Sequence, residues 1–140
     1  MDFDKAAVEL MEYMRIFQRG PTRRVQEVTQ GEMAVLGYLH KHDNITPSEL
    51  SEEFDLTTAR IANILNSLEK KKYLVRIHDS VDRRKVQISI TELGKTVAVQ
   101  KKQEIEKDMS DLLKDLGEED AVEYLRLMKK ISELAKNQIE

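Results

Sequence analysis

Apolar residues recur at helical spacing along most of the chain. In "FDKAAVELMEYMRIF", Phe3, Ala7, Leu10, Met14 and Phe17 follow one another at intervals of three or four, which predicts a first helix with one apolar stripe, ended by Gly20-Pro21. "TQGEMAVLGYLHKH" starts with Thr29 and has Glu32 three residues later, the pattern of a capping box, and predicts a second helix to about His42. "TPSELSEEF" repeats the device with Thr46, Pro47 at the first helical position and Glu49, so a short third helix is expected over Pro47–Phe54. A fourth helix enters through Thr57. At about 100° per residue, Ile61, Ile64, Leu65 and Leu68 fall on one face. Ala59, Asn63, Asn66 and Lys70 fall opposite, flanked by Arg60, Ala62 and Ser67, so the outward face is small and hydrogen-bonding rather than simply charged.

Beyond this helix the period changes from 3.6 to two. Val75 and Ile77 alternate with Arg76 and His78, and Val86, Ile88 and Ile90 alternate with Gln87 and Ser89, which predicts two half-buried antiparallel strands whose apolar faces are Val75/Ile77 and Val86/Ile88/Ile90. The turn between them holds Asp82, Arg83, Arg84 and Lys85. Thr91 is placed to cap a long helix to about Leu113, with Ile105, Met109, Leu112 and Leu116 on one face; Gly117 breaks it and a last helix follows. That last helix carries Ala121, Leu125 and Met128 on one face and Leu127, Ile131 and Leu134 on another, more apolar surface than a terminal helix hides alone, which predicts a partner. The fold class expected is mainly α with a small antiparallel β-hairpin. A short helix, a tight turn, a second helix and then a two-stranded ribbon make a winged helix-turn-helix.

Charge sharpens this picture. The chain of 140 residues has a formal net charge of -3, yet residues 57–88 carry eight Lys/Arg against three Asp/Glu. A basic segment inside an acidic chain is the asymmetry expected where a small surface meets a polyanion. With no cysteine, disulfide frameworks, thiolate zinc sites and iron–sulfur ligation are excluded by chemistry. The acidic start "MDFDKAAVEL" is unlike a signal peptide and the longest apolar run, "MAVLGYL", is far short of a bilayer span, so a cytoplasmic protein without membrane contact is expected. The glycines are scattered and the three histidines lack a nucleophile, so neither a phosphate-binding loop nor a catalytic triad can be built, and an enzyme is not expected. No cofactor is expected either.

The candidate chemistry is therefore recognition of double-stranded DNA. The N-terminal end of the fourth helix would present Thr57, Thr58, Ala59, Arg60 and Asn63 to a major groove. Threonine and backbone amides suit phosphates, a methyl suits thymine, arginine suits guanine and asparagine suits adenine. The hairpin tip, with Asp82, Arg83, Arg84 and Lys85, would reach the adjacent minor groove, where a narrow A·T-rich segment attracts an inserted arginine. Asp82 can pair with Arg84 and hold its guanidinium in one direction.

The run from Ile45 to Gly94, with "TARIANILNSLEKK", "DRR" and "ITELG" in that order and spacing, resembles the MarR family of winged-helix transcription regulators, and the flanking helices extend the resemblance over nearly the whole chain. The resemblance implies one domain over residues 1–140, with a DNA-binding lobe at about 30–93 and dimerisation helices at about 1–19 and 94–140. It also implies a homodimer on a pseudo-palindromic site and, usually, repression relieved by a small-molecule effector. By position, Asp82 and Arg84 match the family's wing pair, and Thr58, Arg60 and Asn63 fall on its recognition-helix surface. Lys72 stands where the family commonly has a glycine; a left-handed Lys72 would cost on the order of 1 kcal/mol, or the helix ends in another way.

Other readings compete. The basic turn could be a solvated surface, and the protein a winged-helix interaction module without DNA binding. His40 and His42 invite a metal-responsive reading, but their spacing puts them on different helix faces and Glu104 and Asp108 add no nitrogen or sulfur ligand. Met11, Met14, Met109 and Met128 are expected in core and dimer packing. Tyr13, Tyr38 and His40 are effector-pocket candidates by region only.

Overall fold

The computed structural model describes residues 1–20 and 31–138. In chain order the described elements are α1 (Phe3–Phe17), α2 (Glu32–Lys41), α3 (Pro47–Phe54), α4 (Thr58–Lys70), strands β1 (Leu74–His78) and β2 (Val86–Ile90), α5 (Glu92–Leu116) and α6 (Glu118–Lys136). They form two compact units, residues 1–105 and 106–140.

The core of the first unit is built where the helical pattern places it. Val35, Leu36 and Leu39 of α2, Leu50 of α3, Ile61, Ile64, Leu65 and Leu68 of α4, Leu74 of β1 and Ile88 and Ile90 of β2 form one buried cluster. The strands pair antiparallel with Leu74 opposite Ile90, Arg76 opposite Ile88 and His78 opposite Val86. Ile45, in the loop before α3, exchanges backbone bonds with Ile88 at 3.3 and 2.7 Å and so ties the root of the hairpin to the helix-turn-helix.

Helix α3 begins with the predicted box: the Thr46 hydroxyl accepts from the Glu49 amide at 3.2 Å while the Glu49 carboxylate accepts from the Thr46 amide at 2.7 Å. It ends at Asp55, whose φ of 49° is left-handed. There the Leu56 amide donates to the Ser51 carbonyl and the Asp55 amide to the Glu52 carbonyl, closing the helix within three residues of the next one. Helix α4 ends the same way. Lys72 is left-handed at φ 64°, the Tyr73 amide donates to the Leu68 carbonyl at 3.0 Å and the Lys72 amide to the Glu69 carbonyl at 2.9 Å. The glycine-type cap is therefore made with lysine.

Three expectations are corrected. The box at Thr29 lies outside the described residues, but Gly31 is the N-cap of α2, without a side-chain bond. The Glu32 carboxylate instead takes the Lys71 ammonium at 2.6 Å, a pair that ties the start of α2 to the end of α4. Partial burial pushes that carboxyl up, and the bonds from Lys71 and Ser67 outweigh it and hold it below its ordinary value. On β1 the predicted face is inverted: Val75 and Ile77 are exposed, while Leu74 is buried and Arg76 is half-buried. Cross-strand partners share a face, so Arg76 lies with Ile88 on the inner side, where its charge is matched by α4. Finally, α5 runs to Leu116, three residues beyond about Leu113, because Lys114 and Leu116 are good helix formers and the chain meets no breaker until Gly117 at φ 83°.

Helix α1 has no buried residue, and Phe3, Leu10, Met14 and Phe17 of its stripe are all exposed. Helix α6 likewise has none, with Leu125, Leu127, Met128, Ile131 and Leu134 open. Met11, Met14 and Met128 are exposed and Met109 is half-buried, so no methionine of that group joins the core.

Candidate nucleic-acid interface

Helix α4 is positioned by its inner face. Burial of Ile61, Ile64, Leu65 and Leu68 forces Thr58, Ala59, Arg60, Asn63 and Asn66 outward, and all five are exposed. Thr57 is the N-cap; its hydroxyl accepts from the Arg60 amide at 3.2 Å, as its β-region backbone allows. The first turn of α4 holds no acidic residue, whereas α1, α2, α3, α5 and α6 each have at least one there. The partial positive charge at the start of α4 thus meets no acidic side chain within its own first turn, an arrangement suited to an external anion.

The wing tip is a folded turn. Asp79 accepts from the amides of Val81 and Asp82 at 2.8 and 3.1 Å, bonds that hold its carboxyl below the usual range. Asp82 accepts from the Arg84 amide at 3.1 Å and from Arg84 Nε at 3.2 Å. The Arg84 side chain is 92% exposed, so the pair aims the guanidinium without burying it. The Arg83 carbonyl accepts from His78 Nδ1 at 3.2 Å, and the Lys85 amide donates to the Asp82 carbonyl at 3.0 Å. Arg83 and Lys85 side chains are exposed. A cleft runs from the start of α3, at Thr46 and Ser48, to His78, Arg84 and Lys85 of the wing.

The residues expected from sequence therefore form two groups. Thr57, Thr58, Ala59, Arg60 and Asn63 share the exposed end of α4, and Asp82, Arg83, Arg84 and Lys85 make the turn of the wing. Sequence reasoning misses Arg76. Its Nη1 bonds Glu69 Oε1 at 2.9 Å and its Nη2 bonds Asn66 Oδ1 at 2.8 Å, linking wing strand to helix. The signal is an outward amide and a carboxylate three residues apart on α4, opposite an arginine in an otherwise apolar strand. Tyr38 stacks near His42, with ring centroids 4.2 Å apart, and His40 is exposed. Among the described residues no three His, Asp or Glu side chains are grouped to hold a metal ion.

The family model described as "MarR family" matches residues 26–85, the stretch that contains the helix-turn-helix and the wing up to Lys85. The match spans less than half of the chain and makes that stretch similar to the family. The chain is 29% identical over 92 residues to the HTH-type transcriptional repressor MdtR of Bacillus subtilis (strain 168), a match that covers 66% of this chain and 54%, about half, of that relative's length. The structure of a mutant of S. aureus MepR superposes with a TM-score of 0.71 at 25% identity, covering 92% of this chain and 97% of that one. Streptococcus pneumoniae FabT in complex with DNA has a TM-score of 0.70 at 20% identity, covering 98% and 99%, and shares the fold. Among the described residues no helix is long and apolar enough to cross a membrane.

Proposed function

We propose that this protein is a MarR-family, sequence-specific, DNA-binding transcriptional regulator, acting as a homodimeric repressor on a pseudo-palindromic operator. The observation that carries the reading is one basic lobe. An exposed recognition face, Thr58, Ala59, Arg60 and Asn63, starts at a helix end free of acidic residues. The same lobe presents an arginine aimed by Asp82 from the wing. The helix would read base edges in the major groove, Thr57 and the first-turn amides would hold phosphate, and Arg84, with Arg83 and Lys85, would enter the minor groove. MdtR is described as a transcriptional repressor, and FabT was solved with DNA, which supports carrying that activity to this chain.

Homodimerisation is part of the proposal. The exposed apolar residues of α1 and α6 are the surfaces a second copy would cover, with residues of about 1–19 and 94–140 as dimerisation helices and about 30–93 as the DNA-binding lobe of a single domain. A small-molecule effector would act by shifting the spacing of the two lobes.

The test is fluorescence anisotropy with duplex from upstream of the protein's own gene and a scrambled duplex, at several salt concentrations. The reading requires tighter binding to the native duplex and a steep loss with salt. Equal, weak binding to both, together with no selected sequence from a random duplex pool, would leave an interaction module as the better description.

A further inference from the structure

Ala59, Asn63 and Asn66 lie at i, i+4 and i+7 of α4 and so form one outward stripe. The two asparagines differ in what they can offer. No side-chain bond engages Asn63 among the described residues, so its oxygen and its NH2 are both available for the two-point pairing that asparagine makes with adenine. Asn66 is committed. Its Oδ1 accepts from Arg76 Nη2 at 2.8 Å, and since a guanidinium can only donate, the amide cannot be turned round without losing the bond. Arg76 is itself held, by Glu69 through Nη1 at 2.9 Å and by its place on the inner face of β1 opposite Ile88. The end of Asn66 left without a protein partner among the described residues is therefore its NH2.

We infer that Asn66 is a further DNA-contacting residue of the recognition helix, offering its NH2 as a donor, and that Arg76 of the wing strand is the positioning residue that fixes its polarity. This rests on the reading of the protein as a DNA-binding regulator. The group Asn66 takes is a hydrogen-bond acceptor on the duplex: a base-edge acceptor of the major groove, guanine O6 or N7, adenine N7 or thymine O4, or a phosphate oxygen. The two-way choice of amide orientation open to Asn63 is closed to Asn66. The wing thereby affects the major-groove contact as well as its own minor-groove contact, because the strand that carries its tip also sets the amide on α4.

The experiment selects duplexes from a random pool with the full-length protein, then measures anisotropy on the selected site for wild type, Asn66→Ala, Asn66→Asp, Arg76→Lys and the double variant Asn66→Ala with Arg76→Lys. Thermal melts verify the fold. Asn66→Asp keeps an acceptor for Arg76, so its melting point holds or rises, while the donor is lost and DNA binding falls. Asn66→Ala weakens binding by roughly three- to tenfold, the value of one neutral hydrogen bond. Arg76→Lys loses a similar factor alone and less than about twofold more in the Asn66→Ala background, because it acts through Asn66. If the acceptor is a base, Asn66→Ala and Arg76→Lys relax the selected motif at the same position of each half-site. If it is a phosphate, both weaken all sequences equally. Wild-type selection of a motif with Asn66→Ala and Asn66→Asp binding as well as wild type would overturn the inference while leaving the regulator reading standing. So would losses at Asn66 and Arg76 that multiply independently. Failure of the wild type to select any motif would remove both.

Discussion

The Thr91 hydroxyl donates to the backbone carbonyl of Lys72 at 2.7 Å, and the same oxygen accepts from the Gly94 amide at 3.0 Å. The Thr91 amide adds a bond to the Tyr73 carbonyl at 3.0 Å. One residue thus caps α5 and holds the left-handed exit from α4. This links the start of a long helix to the end of the recognition helix across a sequence separation of 19 residues that contains the wing. Replacing Thr91 with valine keeps the shape and removes the hydroxyl, and is expected to cost about 1–2 kcal/mol in urea unfolding. Lys72→Gly relieves the left-handed backbone and is expected to gain up to about 1 kcal/mol, measured the same way.

Gly94 sits against that joint. A Cβ there would lie 2.1 Å from the Tyr73 carbonyl oxygen and 2.8 Å from the Ile90 side chain, so backbone must move. Gly94→Ala is expected to destabilise by on the order of 2 kcal/mol or more, although alanine is the better helix former. An unchanged denaturation midpoint would show that α5 can shift freely from the hairpin.

Arg84 predicts a salt signature. Removing it with Arg84→Ala is expected to weaken operator binding roughly tenfold and to lower the slope of log K against log salt by about one, since one cation fewer displaces counterions. Asp82→Asn removes the charge of the partner and retains the arginine, so it is expected to preserve the salt slope while reducing affinity through loss of aim.

Acidification should loosen the wing tip. The Asp79 carboxyl is lowered in the folded protein by bonds from the Asp82 and Val81 amides, so these bonds stabilise the turn above the ordinary carboxylate pKa and are lost as pH falls through the lowered value. NMR titration is expected to show the Val81 and Asp82 amide shifts move together below that ordinary range. Asp79→Asn should flatten the response.

Association is the remaining prediction. A charge placed on the exposed face of α6, Ile131→Glu, is expected to convert a dimer to monomer in sedimentation at micromolar concentration, with the melting of the DNA-binding lobe little altered. A wild-type monomer at that concentration would rule out α6 as a dimer surface.

Much of the fold is legible because helices announce themselves through capping and period. Thr46 with Glu49, the inward set Ile61 to Leu68 and the basic turn at Asp82 to Lys85 are all readable in order. The strand β1 is not. Alternation in "VRIH" fixes that Val75 and Ile77 share a face, but which face is inner depends on register, and register depends on Leu74 meeting Ile90 and on Glu69 and Asn66 being present to receive Arg76. Glu32 misleads for a related reason: a carboxylate at a helix start serves a cap or a distant cation equally well, and Lys71, 39 residues away, claims it.

The left-handed residue Asp55 leaves only Asp55, Leu56 and Thr57 between α3 and α4, with Leu56 half-buried and Thr57 already engaged as a cap. So short a joint has no slack to re-aim the second helix. On the DNA-binding reading, a change of side chain along α4 would alter which bases are preferred, whereas a change of length in the joint would re-aim the whole helix.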